Sequence, residues 1–242
     1  MIDWHCHILT GIDDGPTENE QSLSIAALLA GKGFSKIYCT PHYMRGCYEA
    51  SNDEIRRGIG ELQQLIEDNG IPVTLLPGRE YCLDEYLLAA LEDPLTLGDS
   101  RQILVEIPPR IPFKMARQLF YEVVRSGFIP VIAHPERCPL LVPARHTAHD
   151  RAIWGSISRF LSGGYPNRRQ PEVGDSTGSP LLDYLRELGC SFQGNHGSFN
   201  GFYGHHIKNA AQTLQGMGVY DRYGSDLHSP EQAKAILSNY QV

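Results

Sequence analysis

Short apolar segments alternate with amphipathic segments along most of this 242-residue chain, and this alternation limits the folds open to it. Seven apolar segments have the length and composition of β-strands: residues 2–6, 36–40, 73–76, 102–107, 128–133, 190–193 and 219–223. The segments between them predict helices, and two begin with a capping-box pattern, Thr17 with Glu20 and Ser51 with Glu54. Alternating strands and helices favour a parallel sheet with helical crossovers. We therefore predict an α/β fold, with a closed or nearly closed barrel as first choice and an open doubly wound sheet as second.

One segment, at about residues 150–179, interrupts the alternation. It begins with a helical pattern and becomes polar and rich in Gly, Pro and Ser from about residue 163, which is typical of a surface loop. The segment is too short to form a domain of its own. Because the length suits one α/β barrel, we expect a single domain over residues 1–242 with a polar insertion at about 150–179.

Charge and composition argue against several classes of partner. The net charge of −7, without a basic stripe, argues against binding to nucleic acid. The sequence contains no apolar run of bilayer length and no N-terminal secretory signal, so we expect no membrane insertion. Its six cysteines lack the spacing of a disulfide framework. Reduced thiols and a cytoplasmic protein are therefore expected.

Metal-competent side chains stand at or just after the ends of six predicted strands. They are His5 with His7, His42, Glu80, Glu106, His134, and Asp226 with His228, and Asp14 lies in the turn that follows the first pair. A single histidine or carboxylate can end a strand without any function. In a parallel α/β fold, however, all strand ends of one kind lie on one face, where barrel enzymes build their sites. The repetition therefore predicts one shared site.

The chemistry of these side chains indicates a cluster of metal ions. Imidazoles with carboxylates, and without paired thiolates, suit Zn, Mn, Fe or similar divalent ions. Eight or nine ligands exceed the need of one ion, so two or three ions with bridging carboxylates are the economical interpretation. Three ions would bring about +6 against about −4 from the carboxylates, which leaves a pocket suited to a phosphate group. A metal-bound hydroxide would then serve as the nucleophile.

The motifs "HCH", "IDDGP", "CTPHY", "VIAHPER" and "GSDLH" occur in this order. In order and spacing they resemble the polymerase and histidinol phosphatase (PHP) superfamily. Within it, "MIDWHCHILTGIDDGP" and "HPER" most closely resemble the bacterial tyrosine-protein phosphatases of capsular and exopolysaccharide operons. The resemblance covers residues 1–138 almost continuously and resumes over residues 189–228.

This resemblance implies a distorted seven-stranded (β/α) barrel of TIM-like type that holds a trinuclear metal centre. It divides the ligands among the ions: His5, His7 and Asp226 at the first, Glu106 and His134 at the second with Glu80 as the bridge, and Asp14, His42 and His228 at the third. Mn is expected first, with Zn, Fe or Co as alternatives. Arg137 would clamp the phosphate with its planar donors. Asp13 would orient a ligand or carry a proton.

The resemblance also implies the reaction and its partners. It predicts a metal-dependent protein-tyrosine phosphatase that acts on a phosphotyrosine protein, and a bacterial tyrosine kinase of polysaccharide assembly as partner. The pattern of Gln193 and Asn195 is retained. The sequence departs from the family after the Asp-x-His motif, where "SDLHSPEQAKAIL" offers Lys234 in place of a second arginine. Arg168 and Arg169 of the insertion are further candidates for contacts with a peptide substrate.

Three rival interpretations remain open. Cys39 and Arg45 have the Cys-x5-Arg spacing of cysteine-dependent phosphatases, but Pro41 lacks the N–H that such a phosphate loop needs, and His42 is already a predicted ligand. A small-molecule phosphatase for histidinol phosphate or nucleotides would use the same metal centre, because substrate choice resides in loops. A non-catalytic metal-binding interaction module would keep the structure without turnover.

Overall fold

The computed structural model describes residues 1–143 and 178–238, in which strands and helices alternate. The strands are β1 (Ile2–Cys6), β2 (Lys36–Cys39), β3 (His42–Tyr43), β4 (Thr74–Pro77), β5 (Glu80–Cys82), β6 (Gln102–Glu106), β7 (Ile129–Ala133), β8 (Ser191–Asn195) and β9 (Arg222–Gly224). The helices are α1 (Asn19–Gly31), α2 (Asn52–Asp68), α3 (Leu87–Ala90), α4 (Phe113–Arg125), α5 (Pro180–Glu187), α6 (His196–Asn200), α7 (His205–Gly216) and α8 (Pro230–Ser238). A short 3₁₀ helix, Pro135–Arg137, follows β7.

The strands pair in parallel in two sheets. One has the order β1-β2-β4, and the other has the order β3-β5-β6-β7-β8-β9. The chain passes from β2 to β3 and from β4 to β5 after breaks of two residues, at Thr40–Pro41 and Gly78–Arg79. Across the break, the N–H of Glu80 donates to the carbonyl of Pro41 at 3.1 Å. Each pair therefore acts as one interrupted strand, which leaves seven strand positions in chain order.

The last strand lies against the first. Just beyond β9, the N–H of Asp226 donates to the carbonyl of His5 at 2.7 Å, and the N–H of His7 donates to that of Leu227 at 3.0 Å. Gly224 permits this approach, since a Cβ there would lie 2.5 Å from the Cβ of His5. The predicted α/β class is confirmed. The strands follow in sequence order, as in the predicted distorted barrel and unlike a doubly wound sheet. The two hydrogen bonds named above connect the segment after β9 to the end of β1 and the residue after it.

Helices cover the outer faces of the strands through apolar stripes. In α4, the buried residues Ala116, Phe120 and Val123 recur at the spacing of one helix face, whereas Tyr121 is exposed. These three side chains belong to a buried cluster that also contains Ile103 of β6. This packing holds the carboxyl ends of the strands in place, and the candidate site is built there.

Local signals predicted some boundaries and missed others. The capping box of Ser51 and Glu54 is confirmed: the N–H of Ser51 donates to the Glu54 carboxylate at 2.7 Å, and the N–H of Glu54 donates to the Ser51 hydroxyl at 3.2 Å. The box of Thr17 with Glu20 is wrong. Helix α1 is capped at Glu18, whose N–H donates to the Gln21 side chain at 3.2 Å. Gln21 lies three residues after the actual N-cap and so takes the role assigned to Glu20.

The predicted strand at residues 219–223 is shorter and starts later, as Arg222–Gly224. Val219 is buried, but its N–H donates to the carbonyl of Leu214, so it completes the turn after α7. Strands β3 and β5 were not predicted, because two or three residues carry no periodic pattern. All but the last two residues of the predicted insertion lie outside the described residues. Over residues 1–143 and 178–238, no helix is both long enough and apolar enough to cross a bilayer.

Candidate metal centre

The nine side chains predicted as metal ligands meet at the carboxyl ends of the strands. His5 belongs to β1, and Glu106 is the last residue of β6. His42 and Glu80 are the first residues of β3 and β5, which continue β2 and β4 toward their carboxyl ends. The other five, His7, Asp14, His134, Asp226 and His228, lie in the segments that follow β1, β7 and β9. Their convergence follows from parallel pairing, which places all these strand ends on one side of the molecule.

Within this cluster, three groups of side chains bring their ligand atoms within 4.8 Å of one another. They are His5, His7, Glu80 and Asp226; His7, Asp14, His42 and His228; and His42, Glu80 and Glu106. The first group has the composition expected for the first ion, together with the bridging Glu80. The second group adds His7 to the set expected for the third ion. The third group contains Glu80 and Glu106 from the set expected for the second ion. His134 lies beside the third group, with Nε2 3.2 Å from Glu80 Oε1 and 3.8 Å from Glu106 Oε1.

Glu80 occupies the middle of the cluster. Its Oε2 lies 3.1 Å from Nε2 of His5, 3.1 Å from Nε2 of His7 and 3.2 Å from Nδ1 of His42. This oxygen is nevertheless buried without a hydrogen bond from any residue that the structure describes. A buried carboxylate oxygen surrounded by imidazole nitrogens, but outside hydrogen-bond geometry, is suited to share a cation with them. The residues therefore fit a divalent metal ion.

Two further side chains orient the innermost imidazoles. Nδ1 of His5 lies 2.8 Å from Oε1 of Gln193, and Nδ1 of His7 lies 2.7 Å from Oδ2 of Asp13. Each contact occupies one ring nitrogen with a hydrogen-bond acceptor and directs the other, Nε2, toward Glu80. Such partners fix the tautomer and orientation of metal-binding histidines.

The environment of Asp13 favours the orienting role over the proton-carrying one. Besides His7, its carboxylate accepts hydrogen bonds from the N–H groups of His42, at 2.9 Å, and Gly15, at 3.0 Å. Although burial by itself raises the pKa of Asp13, the contact with His7 and these backbone donors lower it to about 2. At neutral pH this carboxyl group therefore holds no proton to transfer.

Backbone strain is concentrated in the same place. Among the described residues, the only non-glycine residues with positive φ are His134, at 31°, and Asp226, at 54°. Both follow a strand end, and both point functional groups into the cluster. Left-handed backbone at non-glycine residues costs free energy and persists where the surrounding structure enforces it, often at functional sites.

The protein's own charges favour a bound cation. Burial, and next the charge of Glu80, raise the pKa of Glu106 to about 7. Burial, and next the charge of Arg137, lower the pKa of His134 to about 4, so this imidazole is neutral near pH 7. His134 is therefore in the form that binds a metal, and a cation would relieve the repulsion among the carboxylates.

A pocket of about 400 Å³, open to solvent, lies above the cluster. Arg137 lies in its wall, donates to Oδ2 of Asp226 and places its guanidinium over the ring of Tyr203, 4.8 Å from the centroid. Tyr203 and Gln232 also line the pocket. Sequence reasoning missed both, because neither follows a strand and neither belongs to a recognisable motif.

The alternative phosphate-binding residues do not meet at this pocket. Cys39 is fully buried in β2, and burial raises the pKa of its thiol, which suppresses the reactive thiolate. Arg45 is exposed and lies over the ring of Tyr86, at 4.4 Å. The cysteine mechanism is therefore rejected. Lys234 is exposed on α8 and does not line the pocket, and Arg168 and Arg169 lie outside the described residues.

Fold and site together define an α/β protein with a cluster of candidate metal ligands at the carboxyl ends of its parallel strands. The chain belongs to the CpsB/CapC family of capsular polysaccharide synthesis, whose profile matches residues 1–156. The tyrosine-protein phosphatase YwqE of Bacillus subtilis (strain 168) is 32% identical over 233 residues, which cover 95% of this chain and 78% of that protein. The putative tyrosine-protein phosphatase CapC of Staphylococcus aureus is 30% identical over 165 residues, 67% of this chain and 64% of that protein.

Solved structures agree with this placement. The chain matches a crystal structure from the pair described as YwqE from Bacillus subtilis and CpsB from Streptococcus pneumoniae, unique metal-dependent tyrosine phosphatases. The match has a TM-score of 0.72 and 29% identity, and it covers 98% of this chain and 86% of that one. A putative histidinol phosphatase, hisK from Listeria monocytogenes, matches at a TM-score of 0.51 with 12% identity, which shows a shared fold alone.

Proposed function

We propose that this protein is a metal-dependent phosphoric monoester hydrolase that acts on phosphotyrosine in proteins. The observation that carries the proposal is the convergence of Glu80 with eight other ligand-type side chains, with Arg137 in the wall of the pocket above them. The family of capsular polysaccharide synthesis and the named activity of YwqE support the substrate class.

The proposed centre holds two or three divalent ions, with Mn expected first and Zn, Fe or Co as alternatives. Its ligands are His5, His7, Asp14, His42, Glu80, Glu106, His134, Asp226 and His228. When bound, the ions would supply positive charge to the phosphoryl oxygens and would activate water for attack on phosphorus.

The chain's own residues would position the substrate and keep the ligands in their binding form. Arg137 presents a planar fork of donors suited to two phosphoryl oxygens. Asp13 and Gln193 hold His7 and His5 in the tautomers that direct Nε2 inward. A pocket of about 400 Å³ that is open on one side suits a phosphorylated side chain extending from a larger polypeptide.

The proposal also covers the expected substrate protein and the location of this protein in the cell. We expect the substrate to be a bacterial tyrosine kinase of capsular or exopolysaccharide assembly. We also expect this protein to be a single cytoplasmic domain that neither binds nucleic acid nor inserts into a membrane. The net charge of −7 supports the absence of a nucleic-acid partner.

A substrate comparison with controlled metal content tests the proposal. The protein would be stripped with chelator, dialysed until metal is verified absent, and assayed on a phosphotyrosine peptide, histidinol phosphate and p-nitrophenyl phosphate before and after addition of Mn. We expect no turnover without metal, restoration by Mn, and a higher kcat/KM for the phosphopeptide than for histidinol phosphate.

Other results would select the alternatives. Full activity of verified metal-free protein would refute the metal mechanism. A preference for histidinol phosphate would instead indicate a small-molecule phosphatase. Stoichiometric metal without turnover of any phosphomonoester would leave a non-catalytic interaction module.

A further inference from the structure

Arg137 is held by two contacts of different kinds. One of its terminal nitrogens donates to Oδ2 of Asp226, on the side of the metal cluster. Its guanidinium also lies over the ring of Tyr203, 4.8 Å from the centroid. Within the part of the chain that the structure describes, its Nε is buried and has no hydrogen-bond partner. The arginine is thus anchored while part of its donor capacity remains unused.

The contact with Tyr203 restrains the guanidinium without consuming its donors. A cation over an aromatic ring is attracted through its flat face, whereas its N–H groups point outward along the edge of the plane. A second carboxylate in this position would hold the arginine equally well but would occupy the same N–H groups that a phosphate needs. An aromatic ring is therefore suited to orient an arginine that must bind an anion.

Tyr203 is itself fixed from two sides. Nε2 of Gln232 donates to the Tyr203 hydroxyl at 3.1 Å, and Oε1 of Gln232 accepts from the N–H of His228 at 2.7 Å. On the other side, a Cβ at Gly197 would lie 2.9 Å from Cε2 of the Tyr203 ring, so the absence of a side chain at residue 197 makes room for the ring. Tyr203 lies in the turn between α6 and α7, and these contacts fix its ring in the site.

We propose that Tyr203 is a positioning residue that keeps the guanidinium plane of Arg137 aligned so that its donors face the phosphate in the pocket. The inference rests on the proposed function, since it assumes that Arg137 binds the phosphoryl group. Tyr203 acts through Arg137, and its aromatic face is the feature that matters. Its hydroxyl serves to fix the ring through Gln232.

Substitutions at residue 203 separate these features. Tyr203→Phe keeps the ring and removes the hydroxyl, Tyr203→Leu keeps apolar bulk without an aromatic face, and Tyr203→Ala removes both. We expect Tyr203→Leu and Tyr203→Ala to lower kcat/KM for p-nitrophenyl phosphate about 5- to 30-fold and to weaken the binding of inorganic phosphate by a similar factor. Tyr203→Phe should stay within about threefold of the wild type. Tyr121→Ala removes an exposed tyrosine of α4 that does not line this pocket, and it serves as the control.

Two further readouts distinguish positioning from packing. In an Arg137→Ala background, Tyr203→Leu should have no additional effect, because the group that it positions is gone. The metal-to-protein ratio and the melting temperature of Tyr203→Leu should match those of Tyr203→Phe. Additive losses in the double variant, or wild-type kinetics and phosphate binding for Tyr203→Leu, would overturn the inference.

The substrate dependence adds a separate discrimination. The same fold loss on an aryl phosphate and an alkyl phosphate supports action through Arg137, whereas a loss confined to the aryl phosphate would mean that the ring stacks on the substrate and would overturn the inference. The binding of inorganic phosphate to the Mn-loaded protein is measured by calorimetry and needs no turnover. If the wild type hydrolysed no phosphomonoester, the proposed function would fail, and the calorimetric comparison would still decide the role of Tyr203.

Discussion

The cluster of candidate metal ligands, with Arg137 beside it, has a floor and a rim that differ in burial and in structural support. The floor comprises His5, His7, Glu80, His134 and Asp226, which are at most 6% exposed. The rim comprises Asp14, His42, Glu106, Arg137 and His228, whose side chains are 15–48% exposed. Floor residues lie on a strand or within two residues of a strand end, and the innermost of them are held by Gln193 and Asp13. Rim residues lie mainly in the segments that leave the strands.

This difference separates ligands that are shielded from water from ligands, and Arg137, that are also open to a substrate. Charged and polar groups at the floor have no water to solvate them, so each must be satisfied by a partner or by a metal ion. Groups at the rim are partly hydrated and can exchange water for a substrate at little cost. Changes at the floor should therefore alter metal content and turnover together, whereas a change at Arg137 should alter turnover alone.

The largest effect is expected at the centre of the floor. Glu80→Gln removes the charge that faces three imidazoles, and it should lower kcat by about 1,000-fold or more and reduce the bound metal per protein. Glu92→Gln, at an exposed position, is the matched control. Metal analysis and phosphatase assays on the same preparations check this. Retention of both metal and activity in Glu80→Gln would remove Glu80 from the centre.

The next largest effect is expected for Arg137→Ala, which tests the comparison between floor and rim with a change at the rim. Loss of a charge-assisted contact to phosphate should cost roughly 2–4 kcal/mol, or about 30- to 1,000-fold in kcat/KM. At saturating Mn the bound metal should stay at the wild-type level, because Arg137 contacts the ligand Asp226 but supplies no ligand atom itself. Arg45→Ala removes an exposed arginine and should have no effect on either quantity. If metal content fell together with activity in Arg137→Ala, the distinction between floor and rim would not hold.

A smaller effect is expected at Asp13, which orients the floor residue His7. Asp13→Asn weakens the acceptor that orients His7 and should lower metal affinity by about 10- to 100-fold, as losses of such orienting partners do. Activity should return at saturating Mn, because the ligands themselves are intact. Titration of activity against Mn concentration measures this, with the exposed Asp53→Asn as control. A loss that persists at saturating metal would assign Asp13 a direct role in the reaction.

The smallest effect is expected for Cys39→Ser. This thiol is fully buried in β2 and does not line the pocket, so turnover should remain within a few-fold of the wild type. His42→Ala, three residues later at the rim, should lower turnover by orders of magnitude, since a ligand is lost. The two variants are assayed side by side. Only the reverse outcome, an inactive Cys39→Ser and an active His42→Ala, would support the cysteine mechanism.

The sequence by itself determined the class of fold and the candidate metal ligands that the structure brings together. Alternating periodicities predict parallel strands with helical crossovers, and a parallel sheet brings its carboxyl strand ends together whatever its exact register. For this reason His134, Asp226 and the other predicted ligands meet even though their residue numbers are far apart. Local signals were also sufficient for the capping box at Ser51, because its two partners lie within one helical turn.

Only the tertiary structure decided how these residues are supported and which others join them. Arg137 reaches Asp226 across 89 positions of the chain, Tyr203 lies under that arginine, and Gln232 fixes Tyr203 from α8. Asp13 was expected to orient a ligand, but only the structure pairs it with His7, and only the structure pairs Gln193 with His5. Such contacts depend on distances of a few ångströms between elements that are remote in sequence. A pattern within one strand or helix carries no information about them, because it specifies the face that a side chain occupies and leaves its partner open.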